Sequence, residues 1–388
     1  MHGFVFHSNS ILKKFAERKK NKSLIGKRTM RNRKMQITFL LPAVFVFAMA
    51  CGDGSACRTA DEKDSCYTNP VFEPDLADPT LVRAADNWFY AYGTENTWDD
   101  KKHRLIPVIK SRDLVKWEYV GEAFTEKPDW KDGGIWAPEL KVVQNKYYLY
   151  YAFSTWGDQN AGIGLAIADS PEGPFTDQGK LFDSRDIGVF NSIDPSVFEQ
   201  DGKNYLVWGS LGGGIFGIEL SPDGKSTVGE KFPLAGNSFE AAYIYRKGEY
   251  FYLFVSTASC CEGPKSNYRV VVGRSGNFKG PYYTETGKNL MEYNNNWWVP
   301  AVDSIEGVIL KGNAMVTGPG HNGQIITDDR GDDWFIYHAI LYSNPWLPGG
   351  ATRRPMFLDR IEWINGWPVI NKGMGPSTDL RQKPYFKN

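Results

Sequence analysis

Short apolar and aromatic stretches recur in pairs along the chain, and each pair is separated by a polar turn. Five segments start with a polar residue beside Pro, Ala or Gly, continue into a β-branched or aromatic stretch, turn, and end in a stretch rich in Tyr, Trp and Phe. This alternation predicts a repeated β-hairpin. The segments are Asp78–Thr94, Ala137–Thr155, Asp194–Ser210, Glu240–Ser256 and Gly320–Ala339.

The spacing of the repeat indicates how many units the fold contains. Residues 69–388 comprise 320 residues, or 64 for each of five units, which suits a four-stranded propeller blade. The sequence therefore predicts an all-β protein, a five-bladed β-propeller with four-stranded antiparallel blades. A pair of sandwiches is the alternative fold. The landmarks taken as equivalent are Asp78, Glu139, Asp194, Glu240 and His321, which follow one another after 61, 55, 46 and 81 residues.

Composition supports a β-rich fold and narrows the class of ligand. Aromatic residues make up 14% of the chain, with 40 Gly and 22 Pro, as expected for many strands and turns. The formal net charge is zero, but residues 1–34 carry 11 of the 45 basic groups and one acid. The remainder is therefore acidic, which argues against binding of a nucleic-acid backbone. A neutral or cationic ligand is favoured.

The N-terminus has the features of an export signal. Basic residues precede an apolar run from Ile37 to Ala50, which is too short for an ordinary membrane-spanning helix. The ending Ala48-Met49-Ala50-Cys51 resembles a bacterial lipobox, with Cys51 as the lipidated residue. We expect residues 1–50 to be a basic leader and signal peptide and 51–68 a polar tether. The protein would be an outer-membrane-anchored lipoprotein, with plain secretion as the alternative.

Four further cysteines matter in an exported protein, where disulfides can form. Cys57 and Cys66 are spaced for a small loop in the tether. Cys260 and Cys261 are adjacent, and they form either a vicinal disulfide or two reduced thiols. No cysteine pair or His-Glu-x-x-His segment has the spacing of a zinc site.

The repeated landmarks have a chemical consequence. The innermost strand of each propeller blade lines the central channel, so equivalent positions converge near the axis. An isolated acid at a strand start is more often a turn cap, but four acids recur in register here. Carboxyl groups that approach one another have pKa values driven apart, which separates an acid from a base.

These residues resemble those of glycoside hydrolase family 43, and within it the endo-1,5-α-L-arabinanases. The resemblance covers roughly Asp75 to the C-terminus. The motifs that carry it are Ala77-Asp78-Pro79, Trp136-Ala137-Pro138-Glu139, Phe190 to Pro195, Phe239-Glu240-Ala241, Cys260-Cys261, Val272 to Ser275, Gly280-Pro281-Tyr282, Gly318-Pro319-Gly320-His321-Asn322, Ile336-Tyr337-His338 and Gly366-Trp367-Pro368. Three places depart from the family pattern: Glu139, Ala241-Ala242 and the loop Asn294 to Trp298.

The resemblance implies roles residue by residue. Asp78 matches the general base that activates water, and Glu240 matches the general acid. Asp194 matches a third acid that orients Glu240 and tunes its pKa. His321 matches a residue that binds one axial metal ion, expected to be Ca²⁺, largely through waters. The reaction implied is hydrolysis with inversion, for which the two carboxyl groups need room for a water between them.

Two residues beside these motifs are candidates for substrate binding. Trp136 would stack on a sugar face, or alternatively fill the core between blades. Asn191 would donate to a sugar hydroxyl, or alternatively hold a turn. His338 is interpreted as structural.

The function that we expect is endo-acting hydrolysis of α-1,5-linked L-arabinofuranose chains, the arabinan of pectin. The alternatives are an exo-acting α-L-arabinofuranosidase or β-xylosidase of the same family, and a non-catalytic glycan-binding lipoprotein. Arabinan or its oligosaccharides would be the only partner besides a membrane reached through Cys51. Because a propeller closes its own sheet edges, a monomer is expected.

Overall fold

The computed structural model describes residues 65–294 and 304–387. Their strands form five blades of antiparallel sheet, arranged as a five-bladed β-propeller, so the predicted fold is confirmed. Within these ranges, no helix has the length and apolar character needed to cross a membrane. The leader, Cys51, Cys57 and the loop residues 295–298 lie outside the described residues.

The strands follow the chain from blade to blade. The first strand is β1 (Cys66–Tyr67), and blade 1 contains β2 (Thr80–Arg83), β3 (Phe89–Tyr92), β6 (Pro107–Ser111) and β7 (Trp117–Glu122), with a separate hairpin of β4 (Asn96–Thr97) and β5 (His103–Arg104). Blade 2 contains β8 (Gly134–Val143), β9 (Lys146–Ser154), β10 (Gly162–Ala168) and β11 (Thr176–Asp183), and the short helix α1 (Ser184–Ile187) follows it. Blade 3 contains β12 (Ser196–Gln200), β13 (Lys203–Trp208), β14 (Ile215–Leu220) and β15 (Thr227–Ala235).

The last two blades complete the ring. Blade 4 contains β16 (Glu240–Lys247), β17 (Tyr250–Thr257), β18 (Arg269–Ser275) and β19 (Val308–Leu310). Blade 5 contains β20 (Val316–Gly320), β21 (Ile325–Thr327), β22 (Asp333–Leu341), β23 (Met356–Ile364) and β24 (Trp367–Ile370), and β25 (Arg381–Gln382) follows. Short 3₁₀ helices span Gly263–Lys265, Leu290–Glu292 and Asn371–Gly373.

The polar turns of the sequence repeat form tight hairpins. Two-residue turns with both φ values positive match the right-handed twist of the strands that they join. Gln144-Asn145 forms such a turn between β8 and β9, and Asp201-Gly202 forms one between β12 and β13. Asn365-Gly366 does the same between β23 and β24. The turn chemistry therefore fixes the pairing of neighbouring strands.

Aromatic side chains fill the space within and between the blades. The largest fully buried ones include Trp208, Tyr150 and Tyr252. Five apolar clusters of this kind are present among the described residues. Each buried aromatic ring removes about 150–250 Å² from water, which explains why a chain so rich in aromatic residues suits this fold.

The first and last described strands close the ring. β1 pairs with β25, where Tyr67 lies opposite Arg381. The Tyr67 hydroxyl donates to the Leu358 carbonyl over 2.7 Å, and the Asn69 side chain makes two 2.8 Å hydrogen bonds with the Leu358 backbone. The start of the chain is thereby tied to blade 5, which fixes how blades 1 and 5 meet.

The adjacent cysteines Cys260 and Cys261 are joined as a disulfide, which decides between the two states left open by the sequence. They lie in the loop between β17 and β18. The Cys261 carbonyl accepts a 2.8 Å hydrogen bond from Thr352. This contact connects the loop to the segment that precedes β23. The same segment contains Arg354, whose side chain contacts Asp78.

Candidate active site

Each blade has one residue with left-handed backbone conformation where its inner strand starts or is interrupted. These residues are Asp78, Ala137, Asp194, Ala241 and His321, with φ between 44° and 56°. Residues other than glycine seldom adopt this conformation, so its recurrence identifies equivalent positions. The landmarks expected from sequence were therefore right in blades 1, 3 and 5. In blades 2 and 4 they were wrong: the equivalent residues are alanines, two before Glu139 and one after Glu240.

Glu139 consequently takes no part in the cluster of acids. Its buried carboxylate accepts hydrogen bonds from Thr80 Oγ1 at 2.9 Å, Gln324 Nε2 at 2.7 Å and the Val197 amide at 2.9 Å. These donors belong to blades 1, 5 and 3. Burial raises the pKa of Glu139 to about 7, although the three hydrogen bonds oppose the rise. Glu139 therefore links the inner strands around the channel.

Asp78 is surrounded by cationic and hydrogen-bonding groups. Its carboxylate lies 3.0 Å from Nη1 of Arg354 and 3.2 Å from Nδ1 of His321. Thr94 donates a 2.5 Å hydrogen bond to it and accepts one of 2.8 Å from the Ala137 amide. Burial by itself would raise the pKa of Asp78, but Arg354 and His321 hold it well below its usual range. Asp78 is therefore ionised at neutral pH, as a general base must be.

His338 holds the backbone of Asp78 from the other side. Its Nδ1 accepts a 3.0 Å hydrogen bond from the Asp78 amide, and the imidazole is fully buried. Burial lowers the pKa of His338 to about 4, so the ring is neutral. Its Nε2 has no hydrogen-bond partner among the described residues. The ring thus fixes the position of Asp78 without adding charge.

Glu240 has the opposite electrostatic environment. Ser210 donates a 2.8 Å hydrogen bond to its Oε2. Burial raises the pKa of Glu240, and the negative charge of Asp78 adds to the rise, while the Ser210 hydroxyl and the charge of His321 oppose it. A raised pKa favours the protonated form of the carboxyl, which is the form that a general acid needs.

Asp194 lies beside Glu240. Its Oδ2 accepts a 3.1 Å hydrogen bond from the amide of Ala241, the residue that follows Glu240. Burial raises the pKa of Asp194 to about 7, and the charges of Glu240 and Asp78 add to this while His321 opposes it. When two carboxyls interact strongly, they lose their protons in two steps whose pKa values belong to the pair and not to either residue. Asp194 therefore fixes the backbone next to Glu240 and favours protonation of the pair.

His321 completes the cluster. Its amide donates a 2.9 Å hydrogen bond to Ser256 Oγ. Burial lowers the pKa of His321, but Asp78, Asp194 and Glu240 together raise it to about 9. The imidazolium therefore offsets part of the negative charge. Of the predicted site residues, the structure thus brings together Asp78, Asp194, Glu240 and His321.

The predicted sugar-binding residues flank this cluster. Trp136 precedes Ala137 and is half-buried, with its ring 6.0 Å from that of Trp156. Trp156 is 82% exposed. Asn191 donates a 3.2 Å hydrogen bond to the Leu211 carbonyl, as a turn residue would. The Trp136–Trp156 pair therefore offers an accessible aromatic surface, whereas one of the two N–H groups of the Asn191 amide is engaged in the protein.

Several residues of the cluster were missed by sequence reasoning. Thr94, Ser210 and Tyr268 follow their blades' first hairpins, and Arg354 precedes β23. The hydroxyl residues are isolated polar positions at strand ends, which is a weak signal. Arg354 lies in an Arg353-Arg354-Pro355 segment, but nothing in the repeat pattern connects that segment to the inner strand of blade 1.

A metal ion at His321 is only partly matched by the donor groups. Among the residues with described placement, no group of three or more His, Cys, Asp or Glu side chains could hold a metal ion. Nδ1 of His321 already pairs with Asp78. Calcium prefers six to eight oxygen ligands. The protein groups alone therefore do not make a metal centre, and an ion here would depend on water.

Comparison with known proteins places this cluster in a family. The sequence pattern of the glycosyl hydrolases family 43 matches residues 67–368, which include all four residues of the cluster. The chain belongs to glycosyl hydrolase family 43. It is accordingly a glycoside hydrolase with the propeller fold that the sequence predicted, and the predicted family is confirmed.

Relatives of known activity cover most of the chain. It is 30% identical over 307 residues to the extracellular endo-α-(1→5)-L-arabinanase 1 of Bacillus subtilis, covering 76% of this chain and 87% of that protein. It is 28% identical over 331 residues to the extracellular exo-α-(1→5)-L-arabinofuranosidase ArbA of Cellvibrio japonicus, covering 77% and 87%. The solved structure of Cellvibrio cellulosa α-L-arabinanase complexed with arabinohexaose is also similar, with a TM-score of 0.65, 27% identity and coverage of 78% and 96%.

Proposed function

We propose that this glycoside hydrolase cleaves α-1,5-linked L-arabinofuranose chains with inversion of configuration. The observation that carries the proposal is the opposite electrostatic environment of two buried carboxyls in one cluster: Arg354 and His321 lower the pKa of Asp78, which favours its ionised state, whereas burial raises the pKa of Glu240, which favours its protonated state. The substrate follows from relatives that act on arabinan and match more than three quarters of the chain. Inverting hydrolysis needs this pairing of a base with an acid.

The proton transfers follow from these states. Asp78 accepts a proton from a water molecule as the water oxygen attacks the anomeric carbon. Glu240 donates its proton to the glycosidic oxygen as the bond from that oxygen to the anomeric carbon breaks. Asp78 then holds a proton that it returns to solvent, and Glu240 regains one. Asp194 keeps the backbone beside Glu240 in place through Ala241.

The aromatic pair suits a neutral sugar chain. The apolar faces of sugar rings pack on indoles, and a small number of polar groups then set their orientation. Trp136 and the exposed Trp156 provide such a surface beside the acids. Asn191 remains a proposed contact through its carbonyl oxygen or its second N–H, since only one of its two amide hydrogens donates to Leu211.

Substitution of the two carboxyls tests the assignment. Asp78→Asn and Glu240→Gln should each lower kcat on linear arabinan by at least about 100-fold, because general acid–base catalysis contributes about 10²–10⁴. The first-formed anomer, followed by NMR, should be the inverted one. A variant with near-normal turnover, or a retained configuration, would overturn the roles proposed for Asp78 and Glu240.

We propose endo action, since the Bacillus subtilis relative is an endo-enzyme. Exo action is the second candidate, because the Cellvibrio japonicus relative is an exo-enzyme of similar identity. Debranched arabinan separates the two. An early ladder of mixed oligomers supports endo cleavage, whereas a single short product from the start supports exo cleavage.

We also propose that the protein is exported and anchored through a lipid on Cys51. Two relatives are named extracellular, and the predicted signal peptide ends at this cysteine. Expression of a Cys51→Ala variant in a bacterial host checks the anchor. The native protein should fractionate with membranes and the variant should be soluble; an unchanged distribution would contradict lipidation.

The axial ion stays a separate proposal. If Ca²⁺ binds at this position, His321 would supply one nitrogen and water the other ligands, and the ion would add positive charge beside the acids. Treatment with a chelator should then lower the melting temperature, and added Ca²⁺ should restore it. Unchanged melting and activity after chelation would exclude a functional ion.

A further inference from the structure

Trp346 is an accessible aromatic residue on the face of the propeller where the acids lie. It belongs to the segment that joins β22 to β23, and it is 46% exposed. Its backbone pairs with that of Thr352, two residues before Arg354. Arg354 in turn contacts the Asp78 carboxylate over 3.0 Å. The segment that carries Trp346 therefore starts and ends beside the site.

The indole of Trp346 rests on the neighbouring blade. Its six-membered ring packs directly on Gly263, in the loop between β17 and β18, so closely that a Cβ atom at Gly263 would overlap the ring. The Gly263 amide donates a 3.1 Å hydrogen bond to Thr352 Oγ1, and that hydroxyl donates one of 2.8 Å to the Cys261 carbonyl. The same loop contains the disulfide. One side of the indole is thus covered by blade 4, and the remainder is accessible.

The segment is also fixed at its base. The Arg353 amide donates a 3.0 Å hydrogen bond to the Pro345 carbonyl, and the Arg353 guanidinium pairs with Asp99 of blade 1 over 2.8 Å. Contacts with blades 1 and 4 therefore hold a segment of blade 5. A side chain that is already held in one orientation loses little conformational freedom when a ligand packs on it. Trp346 is in this sense prepared for binding.

The second aromatic surface of this face lies on the opposite side of the axis. The blades follow one another around the axis in chain order, so the junction of blades 4 and 5 lies opposite blade 2. Trp346 contacts Gly263 at that junction. Trp136 and Trp156 belong to blade 2 and the turn that follows its second strand. The acid cluster therefore lies between two accessible aromatic surfaces.

We propose that Trp346 holds a sugar unit of the substrate on the other side of the cleaved bond from the Trp136–Trp156 pair. An arabinan chain would then cross the acids and be held at both of its halves. The inference rests on the function proposed above, and it gives a structural reason for cleavage within a chain. Sugar rings pack their apolar faces on such indoles.

The position at which an oligosaccharide is cut tests this arrangement. With arabinohexaose that carries oxygen-18 at its reducing end, mass spectrometry identifies the cleaved bond, because only fragments from that end keep the label. Trp346→Ala should change the ratio of the fragments about 2–10-fold in favour of cleavage nearer one end, as expected for loss of one stacking contact. Trp156→Ala should change the ratio in favour of the other end, because it weakens the hold on the other half of the chain.

A control of similar exposure is available at the other end of blade 4. Tyr283 is 44% exposed and pairs with Arg274, near the end of β18 that lies away from the acids. Tyr283→Ala should keep the wild-type ratio of fragments. Only folded molecules contribute to this ratio, so partial unfolding of Trp346→Ala would lower the rate without moving the cleaved bond. Trp346→Phe, which keeps an aromatic face, should shift the ratio less than Trp346→Ala.

The outcomes separate this inference from the proposed function. If the wild-type protein leaves arabinohexaose intact, or releases one short product from a single end, the proposed endo-hydrolysis fails. If the wild-type protein cuts within the chain and Trp346→Ala keeps its ratio of fragments, only the role of Trp346 fails. A shift of Trp346→Ala and Trp156→Ala toward the same end would also reject the inference, since both residues would then hold the same half of the chain.

Discussion

Replacement of Arg354 by methionine should change the acid limb of the pH–activity profile. Arg354 contacts both carboxylate oxygens of Asp78, at 3.0 and 3.2 Å, and the side chains of both residues are nearly buried. Its positive charge makes the largest contribution to lowering the pKa of Asp78. Methionine keeps much of the side-chain volume and removes the charge. The base should then take up a proton at a higher pH.

The size of the shift can be bounded from the geometry. A unit charge pair about 4 Å apart interacts by about 4 kcal/mol near a protein surface, which corresponds to about 3 pKa units. His321 remains beside Asp78 and compensates in part. We therefore expect the pKa of Asp78 to rise by about 1–3 units, as is usual for the effect of an opposite charge on an aspartate.

The assay is kcat/KM on an arabino-oligosaccharide, measured across the acid range. The acid limb of this profile reports the essential base of the free enzyme. It should move to higher pH by the same about 1–3 units, so activity should fall about ten-fold for each unit of pH below the new pKa. At the pH values above this limb, where Asp78 is ionised in both proteins, kcat/KM of the variant should fall less than it does on the acid limb.

Arg353 offers a neighbouring control. It pairs with Asp99 over 2.8 Å, and no contact joins it to Asp78 in the described residues. Arg353→Met should leave the acid limb in place. If Arg354→Met loses activity equally at every pH with its limb unmoved, or if both variants shift alike, Arg354 does not control the ionisation of Asp78.

Three further predictions concern the acids and the aromatic pair. Asp194→Asn keeps an acceptor for the Ala241 amide but removes a carboxyl whose pKa is raised to about 7 in the folded protein. Because a carboxyl with a raised pKa destabilises the folded state as pH increases, the variant should melt at a higher temperature than wild type at neutral pH. Its kcat should be lowered at least about 100-fold. An equal melting temperature at all pH values would reject this. Glu139→Ala should lower the free energy of unfolding by about 1–3 kcal/mol or more, measured by denaturant unfolding, because it leaves buried donors unpaired. The kcat of the folded protein should be unchanged, and a large fall in kcat would show that Glu139 takes part in catalysis. Trp156→Ala should raise KM for long oligosaccharides several-fold while kcat stays near wild type, and an unchanged KM would remove Trp156 from the binding surface.

The fold was largely predictable because its signals are local. Period-two alternation, aromatic strands and turns such as Asp201-Gly202 each act over a few residues, and the same hairpin is repeated five times. Within the site, the predictable residues were those next to Pro or Gly at the start of an inner strand, such as Asp78, Asp194 and His321. Glu240 was found from the same repeat, and the family motif then gave it its role as the acid. The register of blades 2 and 4 was mistaken, because an acid close to an alanine looks equivalent in sequence whichever side of the strand irregularity it occupies, and both inner strands shift register there.

The residues that sequence reasoning missed act across blades. Arg354 reaches Asp78 from a segment 276 residues away, and Ser210 reaches Glu240 from 30 residues away. Such contacts depend on closure of the ring and not on any local pattern. The Tyr268–His338 stack is of the same kind. Polar residues at strand ends are common, so only the assembled structure distinguishes these from ordinary turn residues.

The left-handed residues show how fold and chemistry are combined at the axis. Strained backbone often accompanies function, and a left-handed conformation at Asp78 or Asp194 by itself would suggest that strain serves catalysis. Ala137 and Ala241 adopt the same conformation without a functional side chain. The strain therefore belongs to the blade architecture, which bends each inner strand at its start. The bend directs the side chains at these five positions toward the axis, and three of them carry ionisable groups. The catalytic cluster therefore uses a backbone geometry that is present in every blade of the propeller.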